Sequence, residues 1–200
     1  MNKGVYLIWD LPTAQAVDPK SFFAALEGSY PCAVQLRAKG SRSVPIQISA
    51  LAQVCRQHAV PFFVNDFEAW VVDGVDGLHL GQNDGQSPAK DGLEIGRSTH
   101  DLDQVREAAD DPLITCLGFG PVRSTTSKVG ALSPRGMRAL TQAVEHAQGK
   151  PVIAIGGLGL EDLEAVHRSG AHAAAVISAV WAQSDPAEAL KRLVQRWAQL

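Results

Sequence analysis

Ala33-Val34-Gln35-Leu36-Arg37-Ala38-Lys39 alternates strictly between apolar and polar side chains from Val34 onward. Successive side chains of a strand point to opposite faces, so Gln35, Arg37 and Lys39 share one face and Val34, Leu36 and Ala38 the other. The apolar set suits a covering layer of helices, which turns an amide and two cations inward. Working outward, seven more short apolar runs lie at 5–9, 61–65, 77–80, 94–98, 113–119, 151–155 and 173–178, giving eight with 33–39. Amphipathic, helix-like segments at 19–26, 44–58, 102–109, 134–147, 160–168 and 186–198 separate most of them. That alternation marks a parallel α/β fold. The segment 67–72 is short, and 82–92 reads as loop rather than helix. Asp18-Pro19 and Asp185-Pro186 each offer a capping carboxylate followed by a proline at the first helical position, and Gly170 suits a helix C-cap. Eight such units predict a single (β/α)₈ TIM barrel over residues 1–200, one domain. The rival doubly wound sheet lacks its fingerprint, because no GxGxxG follows the first strand.

With 200 residues, 46% of them hydrophobic and 20% charged, the chain has the balance of an ordinary globular protein. Its net charge of −3 argues against a nucleic-acid partner, so any bound anion must be held locally. No apolar run reaches membrane-spanning length, and no membrane partner is expected. Cys32, Cys55 and Cys116 form no CxxC pattern, which suggests neither a disulfide framework nor a zinc site and fits the reducing cytoplasm. Trp9, Trp70, Trp181 and Trp197 suit a core or an interface equally, so homo-oligomerisation stays open.

Polar residues at barrel strand ends point to a site at the C-terminal rim. Two cations on one inward face, with no acid beside them in sequence, favour a bound anion such as a diphosphate. The third run ends in Asn65-Asp66, and Asp84 follows the fourth. Alone, Asp66 reads as a helix cap and Asp84 as a turn residue. Beside the cations of the second run they read as hard oxygen ligands sharing one Mg²⁺, the rest of its shell coming from water and substrate phosphate. His79, between Leu78 and Leu80, reads as a packed, hydrogen-bonded core histidine. Ser98 closes the fifth run, and Ser124-Thr125-Thr126-Ser127-Lys128 follows the sixth with hydroxyls and a lysine suited to an anion. Gly156-Gly157 after the seventh run and Ser178 at the end of the eighth match the usual barrel phosphate site.

In order and spacing these elements resemble the thiamine phosphate synthase family from Tyr6 through Ser178. The carrying motifs are Gln35-Leu36-Arg37-Ala38-Lys39, Asn65-Asp66, Asp76-Gly77-Leu78-His79-Leu80-Gly81-Gln82 with Asp84, Gly96 with Ser98-Thr99-His100, Gly118-Phe119-Gly120-Pro121-Val122, Thr125-Thr126-Ser127-Lys128 and Ala154-Ile155-Gly156-Gly157. The resemblance implies condensation of an aminopyrimidine methyl diphosphate with a thiazole phosphate, giving thiamine phosphate and diphosphate. It implies that Gln35, Arg37, Lys39, Asn65, Ser98 and Lys128 hold the pyrimidine diphosphate, with Arg37, Lys39 and Lys128 acting on the leaving group and Asp66 and Asp84 holding Mg²⁺. The thiazole phosphate falls to Thr125, Thr126 and Ser127, with backbone at Gly157, Ile177 and Ser178.

Five places depart from the family pattern: Phe67, Arg97, Arg123-Ser124, Ser127 and His172-Ala173. Arg97 is more usual in the related thiazole tautomerases, the nearest alternative, but Pro121 stands where those enzymes place a catalytic histidine. A non-catalytic regulator that binds a thiamine-related phosphate is a further alternative. Such a protein has no need of both Asp66 and Asp84.

Overall fold

Eight parallel strands pair in chain order and the last returns to the first, closing a barrel. They are β1 (Gly4–Asp10), β2 (Ala33–Arg37), β3 (Phe62–Asn65), β4 (Gly77–Leu80), β5 (Glu94–Thr99), β6 (Cys116–Phe119), β7 (Val152–Ile155) and β8 (Ala173–Val176). The computed structural model describes residues 1–14, 16–39, 44–82, 84–85, 88, 91–125 and 132–200. Helices α1 (Leu11–Ala14), α2 (Pro19–Ala25), α3 (Pro45–Gln57), α4 (Leu102–Asp110), α5 (Gly136–His146), α6 (Leu163–Arg168), α7 (Ser178–Trp181) and α8 (Pro186–Ala198) accompany them. The expected caps form: Asp18 accepts the Ser21 N–H at 2.8 Å and Asp185 that of Glu188 at 3.0 Å. Asp101 caps α4 in the same way through Gln104 at 2.9 Å.

Closure divides the apolar residues by strand parity. Val5, Leu7, Trp9, Val34, Leu36, Phe62, Val64 and Leu78 join the large cluster between sheet and helices. Tyr6, Ile8, Ala33, Phe63, Cys116, Ile153, Ala173 and Ala175 fill the barrel itself. Inside, large residues are matched by small ones. A Cβ added at Gly77 would overlap the Phe63 ring and lie 2.8 Å from the Glu94 carbonyl oxygen. The His79 ring occupies the space that Gly96 and Gly118 leave open. Such matching fills a taper too narrow for a side chain at every position.

Several boundaries differ from the expected ones. β2 ends at Arg37, leaving Lys39 exposed beyond the ladder, and β6 begins at Cys116 rather than 113. β8 ends at Val176, so Ser178 opens the short α7 instead of closing a strand. The helices α1 and α7 carry no long amphipathic repeat by which to foresee them; Trp181 of α7 anchors that turn by packing on Trp9 and donating its indole N–H to the Ile8 carbonyl at 2.8 Å. Residues Glu68–Trp70 form a 3₁₀ turn, and no helix joins β4 to β5 among the described residues. No described helix is long and apolar enough to cross a membrane.

Trp9 and Trp197 are buried, whereas Trp70 and Trp181 are partly so. All three cysteines are free thiols. Burial pushes the Cys32 and Cys116 thiols up to about 12 and raises that of Cys55 as well.

Two outcomes follow. Gly77→Ala lowers stability by about 1–3 kcal/mol through overpacking against Phe63, read as a shifted urea midpoint at unchanged slope. Native protein at pH 8 leaves Cys32 and Cys116 unlabelled by a thiol-specific reagent, and denaturant exposes both.

Candidate active site

The inward parity of β2, β3 and β5 carries Gln35, Arg37, Asn65 and Ser98 to the C-terminal mouth. There they line a cavity of about 250 Å³ together with Lys39, Asp66, His79, Asp84 and Ile177. Tyr6, Ile8, Ile153, Ile155 and Ala175 supply its apolar wall and floor. A directed chain of hydrogen bonds links four strands, β1 to β4, beneath the opening. The Tyr6 hydroxyl donates to Gln35 Oε1 at 3.0 Å, and Gln35 Nε2 donates to Asn65 Oδ1 at 3.1 Å. Asn65 Nδ2 donates onward to the His79 carbonyl at 3.0 Å and to the Asp66 carboxylate. Burial, and then the neighbouring Cys116, Cys32 and Glu94, hold the Tyr6 phenol well above its ordinary range, so it remains a donor. Each amide orientation is set by the one before it.

Arg37 departs from the sequence expectation. It forms an ion pair with Asp10, its register partner on β1, and both residues are buried, at 8% and 5% exposure. Asp10 also accepts from the Thr13 hydroxyl at 3.1 Å. The absence of an acid beside the two cations held only along the strand; the counter-charge comes from the adjacent strand. An unpaired buried guanidinium would cost several kcal/mol, so the pair is what lets Arg37 stand at the base of the mouth. Asp10 shares the inward parity of Tyr6 and Ile8, and that parity is the signal by which it could have been found.

Asp66 leaves β3 in the left-handed region, φ +70°, and its N–H bonds the His79 carbonyl at 2.9 Å. Aspartate is among the few side chains that adopt this conformation readily. The N-cap position of the Glu68–Trp70 turn is taken by Phe67 rather than by Asp66. Asp84 does serve its turn, accepting the Gly81 N–H at 2.6 Å, while lining the cavity. Among the described residues no group of three or more His, Cys, Asp and Glu could enclose a metal. Two carboxylates on one polar cavity suit a hard cation that draws the rest of its shell from water and substrate oxygens.

His79 is packed and hydrogen-bonded as expected, its Nε2 lying 3.0 Å from Ser98 Oγ, yet it also lines the cavity. His100 joins it there; its Nδ1 lies 2.6 Å from the Gly120 carbonyl, which can only accept, so Nδ1 carries the proton. Across the mouth, Gly156 and Gly157 have φ of +102° and +65°. A Cβ on Gly157 would overlap the Ser124 carbonyl, and one on Gly156 would lie 2.6 Å from Pro121 Cα, so this turn needs glycine twice. Gly157 and Ser178 line a neighbouring recess of about 490 Å³ rather than the central cavity. Thr125 is partly buried beside this turn, and Thr126, Ser127 and Lys128 lie outside the described residues. The Arg123 side chain is taken up by Asp162 at 2.9 Å, whose other oxygen accepts the Gly159 N–H at 3.1 Å.

Removing one member of the buried pair tests its role. Asp10→Ala is expected to cost about 3–5 kcal/mol, and adding Arg37→Met to recover a substantial part of it, by urea unfolding of the single and double variants. Additive losses would contradict the pairing.

Known proteins resemble this chain along most of its length. The family model described as thiamine monophosphate synthase matches residues 5–180. A thiamine-phosphate synthase of Pasteurella multocida is 36% identical over 182 residues, covering 85% of this chain and 82% of that protein. One from Acidothermus cellulolyticus is 33% identical over 202 residues, covering 97% and 94%. The solved thiamine phosphate pyrophosphorylase of Pyrococcus furiosus superposes with a TM-score of 0.84 at 28% identity, covering 98% of this chain and 96% of that one. By the extent of the family match and by relatives above 30% identity along most of both chains, this protein belongs to the thiamine monophosphate synthase family.

Proposed function

We propose that this chain is a Mg²⁺-dependent thiamine phosphate synthase, a transferase acting in the cytoplasm on two small-molecule partners. It joins 4-amino-2-methyl-5-hydroxymethylpyrimidine diphosphate to hydroxyethylthiazole phosphate and releases diphosphate. The observation that carries the reading is the convergence of Gln35, Arg37, Lys39, Asn65, Asp66, Asp84 and Ser98 on one cavity.

As the methylene carbon–oxygen bond of the pyrimidine substrate breaks, its electron pair leaves with the diphosphate, on which negative charge grows. Arg37, Lys39 and Lys128 stabilise that charge, and Ser98 donates to a phosphate oxygen. Arg37 acts from a fixed position, held by Asp10. Asp66 and Asp84 hold Mg²⁺, which when bound neutralises diphosphate charge. Gln35 and Asn65, oriented from Tyr6, present set amide groups to the aminopyrimidine. The apolar wall of Ile153 and Ile155 keeps water from the cationic pyrimidine. Thr125, Thr126 and Ser127, with backbone at Gly157, Ile177 and Ser178, hold the thiazole phosphate so that its ring nitrogen attacks the methylene carbon. The new carbon–nitrogen bond leaves a thiazolium, and no protein nucleophile takes part.

Purified protein given both substrates and Mg²⁺ is expected to form thiamine phosphate, detected as thiochrome fluorescence, and a chelator to abolish it. Asp84→Ala is expected to weaken Mg²⁺-dependent turnover strongly while changing stability by less than about 1 kcal/mol, because the residue is exposed on a rim turn. No product from folded wild-type protein would contradict the assignment.

A further inference from the structure

We infer that Arg97 is a positioning residue that, from the outer face of β5, clamps Gly81 and Gly85 on either side of Asp84 and so sets where Asp84 stands in the barrel mouth. The inference rests on the cation-holding role proposed for Asp84.

Gly96 and Ser98 turn into the barrel, whereas Arg97, between them, faces outward and lies opposite Leu80 in the β4–β5 register. It does not line the mouth cavity; it lines a groove on the outer side of the same turn, with Gln82, Gly85, Gln104 and Glu107. One guanidinium nitrogen donates to the Gly81 carbonyl at 2.9 Å and the other to the Gly85 carbonyl at 3.0 Å. These two carbonyls bracket Asp84. From inside the turn, the Asp84 carboxylate accepts the Gly81 N–H at 2.6 Å, so the Gly81 residue is gripped on its carbonyl by Arg97 and on its amide by Asp84. The Gln82 side chain adds a bond to the Ser98 carbonyl. A side chain at position 81 would disturb this arrangement, since a Cβ there would lie 2.9 Å from Asp84 Oδ2.

The clamp answers a local need. Most other strand ends of the barrel lead into α-helices and β3 into a 3₁₀ turn, but no helix joins β4 to β5 among the described residues. The turn bearing Asp84 therefore needs fastening from elsewhere, and a planar guanidinium can hold two carbonyls at once where an ammonium is a single point. Arg97 also accounts for one departure from the family pattern without moving the chemistry. It faces away from the mouth cavity and acts through the turn.

The test compares wild type with Arg97→Leu and Arg97→Lys in the full chain by three readouts. These are amide hydrogen exchange over residues 81–85, Mn²⁺ binding by electron paramagnetic resonance with inorganic diphosphate present, and the Mg²⁺ dependence of turnover. Arg97→Leu is expected to speed exchange in the turn and to weaken Mn²⁺ by about ten-fold. The Mg²⁺ concentration for half-maximal turnover rises alongside, with kcat at saturating Mg²⁺ within two-fold of wild type. Arg97→Lys falls between, and it decides the matter should the leucine variant not fold. Unchanged exchange in the turn, faster exchange with unchanged Mn²⁺ affinity, or a kcat loss that saturating Mg²⁺ does not restore would each overturn the inference. If wild type makes no thiamine phosphate, the functional proposal fails, while exchange and Mn²⁺ binding still decide whether Arg97 sets the turn.

Discussion

A barrel closed on itself leaves each strand one face with no route to solvent except through the mouth. Inward polar residues must then find partners among other inward residues or at an open end of the barrel. Asp10 meets Arg37, Tyr6 meets Gln35, Gln35 meets Asn65, and His79 meets Ser98. None of these pairs lies within one strand. The strand-borne part of the site is thus a product of closure, and its precision comes from register, while Asp84 depends on how its turn is held.

The polar layer is graded. Below it Phe63, Ile153, Ala173 and Ala175 form an apolar plug, with Gly77 making room for Phe63. At the layer itself buried groups are bonded to one another and lose little freedom when substrate arrives. Above it Lys39 and Asp84 are exposed and held by short segments of chain. A charged, hydrated diphosphate meets the movable residues at the rim and the fixed ones at the base, so the ordering cost falls on few side chains. The ion pair of Arg37 with Asp10 tempers the positive charge of the mouth, which leaves the exposed Lys39 as its freest cation among the described residues.

Much of this was legible in the sequence. The strict alternation of Val34 to Lys39 carries the inward face of β2, the eight apolar runs carry the barrel, and Asp18 and Asp185 mark helix starts because capping is a local interaction. The counter-charge for Arg37 was not, because it sits on another strand and only register brings it near. His100 stood in the Ser98-Thr99-His100 motif without a role of its own, because a histidine after a strand has no intrinsic address; the Gly120 carbonyl it bonds is twenty residues away. Arg97 was legible as a departure and not as a clamp, since its partners are main-chain carbonyls that no side-chain pattern announces. The helices α1 and α7 are single turns held by tertiary contacts such as that of Trp181 with Trp9, and propensity is silent on pieces so short.

The account stands on the mouth being a joint site for a pyrimidine diphosphate and a divalent cation. The most direct measurement is a calorimetric titration of that diphosphate into the protein with and without Mg²⁺, before any thiazole phosphate is added. One site per chain, at least about ten-fold tighter with Mg²⁺ than without, is the predicted result. Binding of equal strength under both conditions, or none, would contradict it.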